Sequence, residues 1–124
     1  MDPRQIARAI GAVRIAMGLG FVAAPKLASG WIGPAAQREA VGVVVRGFGA
    51  RDAVLGGLMV HTASRPQVAA RMAAMGIVVD AVDLVATVAA RRSVPATGVA
   101  LLALMAGGAI AGQAMVYRGL RAAG

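Results

Sequence analysis

The sequence predicts an all-α protein, a four-transmembrane-helix bundle with both termini on the same side, forming one domain over residues 1–124. Three observations predict it. Apolar residues make up 59% of the chain and charged ones 15%, and the mean hydropathy is +0.74, whereas a soluble domain is about a quarter charged. So small a soluble fold could not hide that much apolar surface from water. The apolar residues also fall into four runs, about 3–24, 39–62, 67–90 and 94–117, each close to the roughly 20 residues that cross the hydrocarbon core. The last of these, from Val94 to Tyr117, carries no charge at all.

The first run opens with Asp2 as an N-cap acceptor, Pro3 at the first helical position and Gln5 where a capping box takes Glu or Gln. Pro25 disfavours helical geometry at Ala24 and ends it. A basic start and an apolar run are also features of a leader peptide, but Arg14 interrupts the run. The connection from Lys26 to Arg38 holds Trp31 between Gly30 and Gly33, and tryptophan favours the headgroup level. The second run, 39–62, ends before the turn Ser64-Arg65-Pro66, and the third, 67–90, before Arg91-Arg92-Ser93. Tyr117 and Arg118 anchor the fourth at an interface. An even number of spans puts Arg4, Arg8, Arg65, Arg71, Arg118 and Arg121 on one side, against Lys26, Arg38, Arg91 and Arg92 on the other. That imbalance predicts cytoplasmic termini.

Composition excludes several chemistries. Without cysteine there are no disulfides, thiolate nucleophiles or cysteine-ligated metals. One histidine, His61, is too few for a typical histidine metal site, and no metal or cofactor is expected. A net charge of +8 would suggest nucleic acid in a soluble protein. Here the basic residues are scattered among apolar segments with almost no aromatics for base stacking, so the expected partners are the bilayer and its anionic headgroups. The bias to arginine, alanine, glycine and valine points to a GC-rich bacterial genome, and hence to the inner (plasma) membrane.

Six ionisable residues fall well inside the runs: Arg14 in the first, Arg46, Arg51 and Asp52 in the second, Asp80 and Asp83 in the third. A charge at mid-membrane costs at least ~2.5–3.5 kcal/mol on insertion scales, so pairing across helices is nearly forced, and three positive charges formally cancel three negative ones. At about 100° per residue, Gly76, Asp80, Asp83, Thr87 and Arg91 share one stripe, which must face the bundle interior. In the second run Arg51 and Asp52 fall about 140° and 240° round from Arg46, so the three cannot share a face. Either Arg46 snorkels toward the nearer surface, or protein surrounds this helix on most sides, which implies a homo-oligomer or another membrane-protein partner. Small residues mark the expected close approaches: Ala12, Ala16 and Gly20, then Gly49 and Gly56 on the face of Asp52, then Gly108-x-x-x-Gly112.

Arg14-x-x-x-Gly18 before Pro25, Arg46-Gly-Phe-Gly-Ala-Arg51-Asp52 and Asp80-x-x-Asp83 together resemble a group of small four-helix bacterial membrane proteins, loosely similar to the DoxX-type proteins. The resemblance implies four spans and a polar core, and it supplies no reaction. The expected function is therefore non-enzymatic: a cluster of Arg14, Arg46, Arg51, Asp52, Asp80, Asp83 and Thr87 that binds a small polar or amphiphilic ligand or relays protons. Two alternatives stand beside it. One is a membrane isomerase or hydrolase acting on a lipophilic substrate by Asp/Arg acid–base chemistry. The other is an assembly subunit in which the cluster only fixes helix register. An internal cavity opening sideways to lipid would favour the enzyme, a water-filled path across the bilayer would favour transport, and a packed, dry cluster would favour the scaffold.

Overall fold

A computed structural model describes residues 1–123 as entirely helical, with no strand among them. There are four long helices, α1 (Pro3–Ala23), α3 (Glu39–Thr62), α4 (Pro66–Ala89) and α5 (Ala96–Ala122), and a compact segment joins α1 to α3. That segment holds a 3₁₀ turn at Pro25–Ala28, the single-turn helix α2 (Ser29–Ile32) and a second 3₁₀ stretch at Gly33–Gln37. The Asp2 side chain accepts from the Arg4 amide at 3.0 Å and Pro3 occupies the first turn, as the capping signals require. The one boundary that differs substantially from the sequence expectation is the end of α5, which runs five residues past Tyr117. Leu120 explains it, because it packs into a core with Val116, Ala7 and Ala70 and holds the extra turn in place.

Three of the helices, α1, α4 and α5, are long and apolar enough to cross a membrane. α3 matches them in length, but Glu39, Arg46, Arg51 and Asp52 lie along it. The outer surface is apolar on every long helix, with Val13, Val44, Val82 and Leu104 all exposed.

α1 packs antiparallel on α3 through glycine. A Cβ placed at Gly11 would lie 2.7 Å from the Gly56 carbonyl oxygen, and one at Gly18 would collide with the Gly49 carbonyl. The contact ridge of α1 is therefore Ala7, Gly11 and Gly18, the face that also carries Arg14. The expected ridge of Ala12, Ala16 and Gly20 is turned away, with Ala12 and Ala16 exposed. α4 and α5 form the second tight pair. Pro3 lies against Gly119 and Ile10 against Gly112, so α1 and α5 are antiparallel and the two chain ends meet at one end of the bundle. Gly108, the other half of the GxxxG pair, has open space where its Cβ would be.

Apolar side chains close the bundle at both ends. Ala7, Ala63, Ala69, Ala70, Ala73, Val116 and Leu120 fill the end near the termini. Ala28, Ala36 and Val45, with Phe21, Ile32 and Val41 against them, fill the other. The connecting segment docks there on the start of α5. Gly33 takes φ +76° and lies against Pro95, and the Trp31 carbonyl sits where a side chain at Gly98 would be. A positive φ is open to glycine at little cost, which is why the chain can reverse at that point.

Candidate functional site

Between the two apolar ends lies a polar node to which each long helix contributes one side chain from its buried stripe. Arg14 comes from α1, Asp52 from α3, Asp80 from α4 and Gln113 from α5, and all four are buried. Arg14 Nη1 donates to Asp52 Oδ1 at 2.9 Å. Its Nη2 donates to Asp80 Oδ2 and to Gln113 Oε1 at 3.2 Å. Gln113 Nε2 donates in turn to Asp80 Oδ2 at 2.7 Å and to the Ala109 carbonyl at 3.0 Å. Gly76 makes room for this amide, since a Cβ there would fall on Gln113 Oε1.

A second ion pair flanks the node. Arg51 Nη1 and Nη2 donate to Asp83 Oδ1 and Oδ2 at 3.2 and 2.7 Å, the two-pronged geometry that suits a guanidinium to a carboxylate. Nη2 also lies 3.6 Å from Asp52 Oδ1, which links the pair to the node. The Arg51 guanidinium carbon sits 4.4 Å from the centre of the Phe48 ring. Phe48 continues an aromatic stack to Phe21 and Trp31, with ring centres 5.7 and 5.1 Å away. Trp31 Nε1 donates to Thr87 Oγ1 at 3.1 Å. Nε of both Arg14 and Arg51 is buried without a partner among the described residues.

Of the seven residues singled out in sequence, Arg14, Arg51, Asp52, Asp80 and Asp83 come together, and Thr87 sits one turn beyond as an anchor for Trp31. Arg46 does not join them. It is exposed and donates from Nε to the Val22 carbonyl at 3.1 Å, near the end of α1. Helical phase had left two solutions for Arg46, snorkelling to the nearer surface or cover by surrounding protein, and in the single chain it lies outside the cluster on the exposed face of α3. The stripe of α4 buries Gly76, Asp80 and Thr87, with Asp83 partly covered, but Arg91 lies outside it and donates to the Val88 carbonyl. His61 is exposed at the end of α3.

Gln113, an amide in the charge-free run and so expected to bond a neighbouring helix, does so on both α1 and α4. One contributor escaped the sequence reading. Trp31 was assigned to the headgroup level because no local pattern reveals a partner 56 residues away.

The node is not sealed. α1 and α5 touch at Ile10 and Gly112 and diverge from there, leaving a cavity of about 430 Å³, within the roughly 300–1,000 Å³ of small-molecule sites. Its walls are apolar, with Val13 and Met17 from α1 and Leu101, Leu102 and Met105 from α5. Phe21, Trp31 and Phe48 cover one end, and Arg14, Asp52, Asp80 and Asp83 form the floor. The mouth opens sideways, since Val13, Leu101 and Met105 are 56%, 46% and 39% exposed. Among the described residues no three His, Cys, Asp or Glu side chains are placed to hold a metal ion.

No protein family matches the chain, and no curated protein or solved structure is similar to it. The likeness to DoxX-type proteins thus rests on the sequence motifs alone.

Proposed function

We propose that the chain is a four-span integral membrane protein of the plasma membrane that takes a single-chain amphiphile from the bilayer into the crevice between α1 and α5. One observation carries this reading: a laterally open, apolar-walled cavity whose floor is a buried ionic cluster. A tail would lie along Val13, Met17, Leu101 and Met105, replacing lipid that these exposed side chains would otherwise touch. The head group would meet Arg14, Asp52, Asp80 and Asp83, where fixed charges in a low-dielectric site interact far more strongly than they do in water.

The status of α3 supports four spans. The charges that weigh against it are mostly spent inward, Asp52 on Arg14 and Arg51 on Asp83, while Val43, Val44 and Val54 face outward. The same lateral opening would admit a lipophilic substrate to Asp/Arg acid–base chemistry; binding is the part of either reading that the crevice and its charged floor support directly. A scaffold of purely structural charges would have no use for the open space beside them.

Trp31, the only tryptophan, lies in the crevice wall and serves as a built-in reporter. Amphiphiles with a bromine on the tail, in cationic, uncharged and anionic head versions, are titrated into the protein in zwitterionic nanodiscs. Saturable quenching of Trp31 by at least one of them is expected. Gly108→Leu, which fills the crevice from a position with free space for a side chain, should abolish the saturable part. Quenching by all three that only follows their bulk lipid concentration would refute the binding site.

A further inference from the structure

We infer that the amphiphile this crevice selects is a monocation with an ammonium-type head; the inference rests on the binding reading above and deepens it. The floor and its flanking pair hold two guanidinium groups, Arg14 and Arg51, against three carboxylates, Asp52, Asp80 and Asp83. The sixth charge, Arg46, would have made the set neutral, but it lies outside. The cluster therefore carries one formal negative charge more than it can balance, and apolar residues enclose it.

The surplus is directed at the cavity. Both oxygens of Asp83 are occupied by Arg51, whereas Arg14 is shared between Asp52 and Asp80. Oδ2 of Asp52 and Oδ1 of Asp80 receive no hydrogen bond from the described residues, although both side chains are more than nine-tenths buried and line the crevice. These two oxygens are not fully enclosed by protein, so a cationic head in the crevice meets their charge directly.

The aromatic residues point the same way independently. Phe21, Trp31 and Phe48 line the same cavity, and aromatic faces attract quaternary ammonium groups, tryptophan most strongly. A divalent metal does not fit, because among the described residues no three acidic side chains are placed to hold one. An anionic head would face three carboxylates.

The test uses bromo-tailed decyltrimethylammonium, decanol and decyl sulfate on the intact protein in zwitterionic nanodiscs, read through Trp31 quenching. The ammonium compound should bind about tenfold or more tightly than decanol, a preference one charge in a low-dielectric site readily supplies, and decyl sulfate most weakly. Asp83→Asn makes the cluster neutral and should reduce the ammonium preference. Arg46→Gln changes the protein's charge by one unit outside the cluster and should leave the preference as it is. If decanol or decyl sulfate binds as tightly as the ammonium compound, charge selection is overturned while the crevice stands. If none of the three quenches saturably, crevice and inference fall together. Should Asp83→Asn not fold, the comparison of the three heads on the unaltered protein decides alone.

Discussion

Removing Arg14 should cost more than removing any other side chain in the bundle, and neutralising Asp80 as well should add almost nothing to that cost. Arg14 is the only cation within hydrogen-bond reach of both buried carboxylates of the node. Arg14→Met strands Asp52 and Asp80 together and leaves Arg51 alone against three carboxylates, so the loss should be about 3–5 kcal/mol, the range found when one partner of a buried pair is deleted. Asp80→Asn should cost less. It forfeits a charge-assisted hydrogen bond worth about 1.5–3 kcal/mol, but it removes the surplus negative charge, and the amide still offers Arg14 and Gln113 an acceptor. In the Arg14→Met background the same change at Asp80 relieves a stranded carboxylate, so it should be nearly free.

The cycle should therefore close with a coupling of more than about 1 kcal/mol, toward the upper end of values for polar contacts inside membranes, where the mean is ~0.6 and the maximum ~1.7. Reversible unfolding in mixed micelles, titrated with a denaturing detergent, gives all four free energies. Arg46→Met combined with Asp80→Asn is the control and should be additive within ~0.3–0.5 kcal/mol. A coupling for Arg14 and Asp80 no larger than that of the control would refute the node as an electrostatic unit.

Three further outcomes are expected. Gly56→Ala should destabilise by about 1–3 kcal/mol, because its Cβ would meet the Gly11 carbonyl oxygen at 2.5 Å and Arg14 Cβ at 2.8 Å; Gly57→Ala, with nothing near, should be neutral or slightly stabilising in the same unfolding assay. Arg51→Lys keeps the charge but loses the fork on Asp83 and the stacking on Phe48, so the protein should insert normally with a stability loss of about 1 kcal/mol; a loss as large as that of Arg14→Met would show that Arg51, not Arg14, centres the cluster. Single cysteines at the exposed positions Ser29 and Ser64 should label from outside the cell at Ser29 only, and the reverse pattern would place the termini outside.

The fold was legible in this sequence to the extent that it depends on periodicity. The α4 stripe followed from 3.6-residue spacing alone, and the helix boundaries from Pro3, Pro25, Pro66 and the Arg91-Arg92-Ser93 turn. The contact ridge of α1 was misread because in an alanine-rich helix several small-residue rows look equivalent. The row that packs is the one sharing a face with Arg14, since the helix must come close to α3 for that guanidinium to reach Asp52. Charge counting failed in a similar way. Arg46 sits within the same apolar run as Arg51 and Asp52, and its sequence position says nothing about which way a long side chain leaves the backbone. The crevice was not legible at all, because it arises where α1 and α5 part above Gly112, and no local pattern encodes how far two helices diverge.

The position of Arg46 also decides how the cluster is to be understood. Had Arg46 turned inward, three guanidinium groups would meet three carboxylates, a neutral set that needs no further partner and could serve as a register lock. With Arg46 at the surface the set is short of one cation, and the shortage lies where the bundle is open rather than where it is packed. Asp83 holds both prongs of Arg51, while Asp52 and Asp80 share Arg14, with only a longer contact from Arg51 to Asp52, and border the cavity. A device evolved only to hold helices together would be expected to place its imbalance in water or to remove it, for instance with asparagine at position 80, which would keep the hydrogen bonds to Arg14 and Gln113. Retaining an aspartate there keeps an unbalanced charge that an amide would not carry, and a site that must attract and release a cationic head group has a use for that charge.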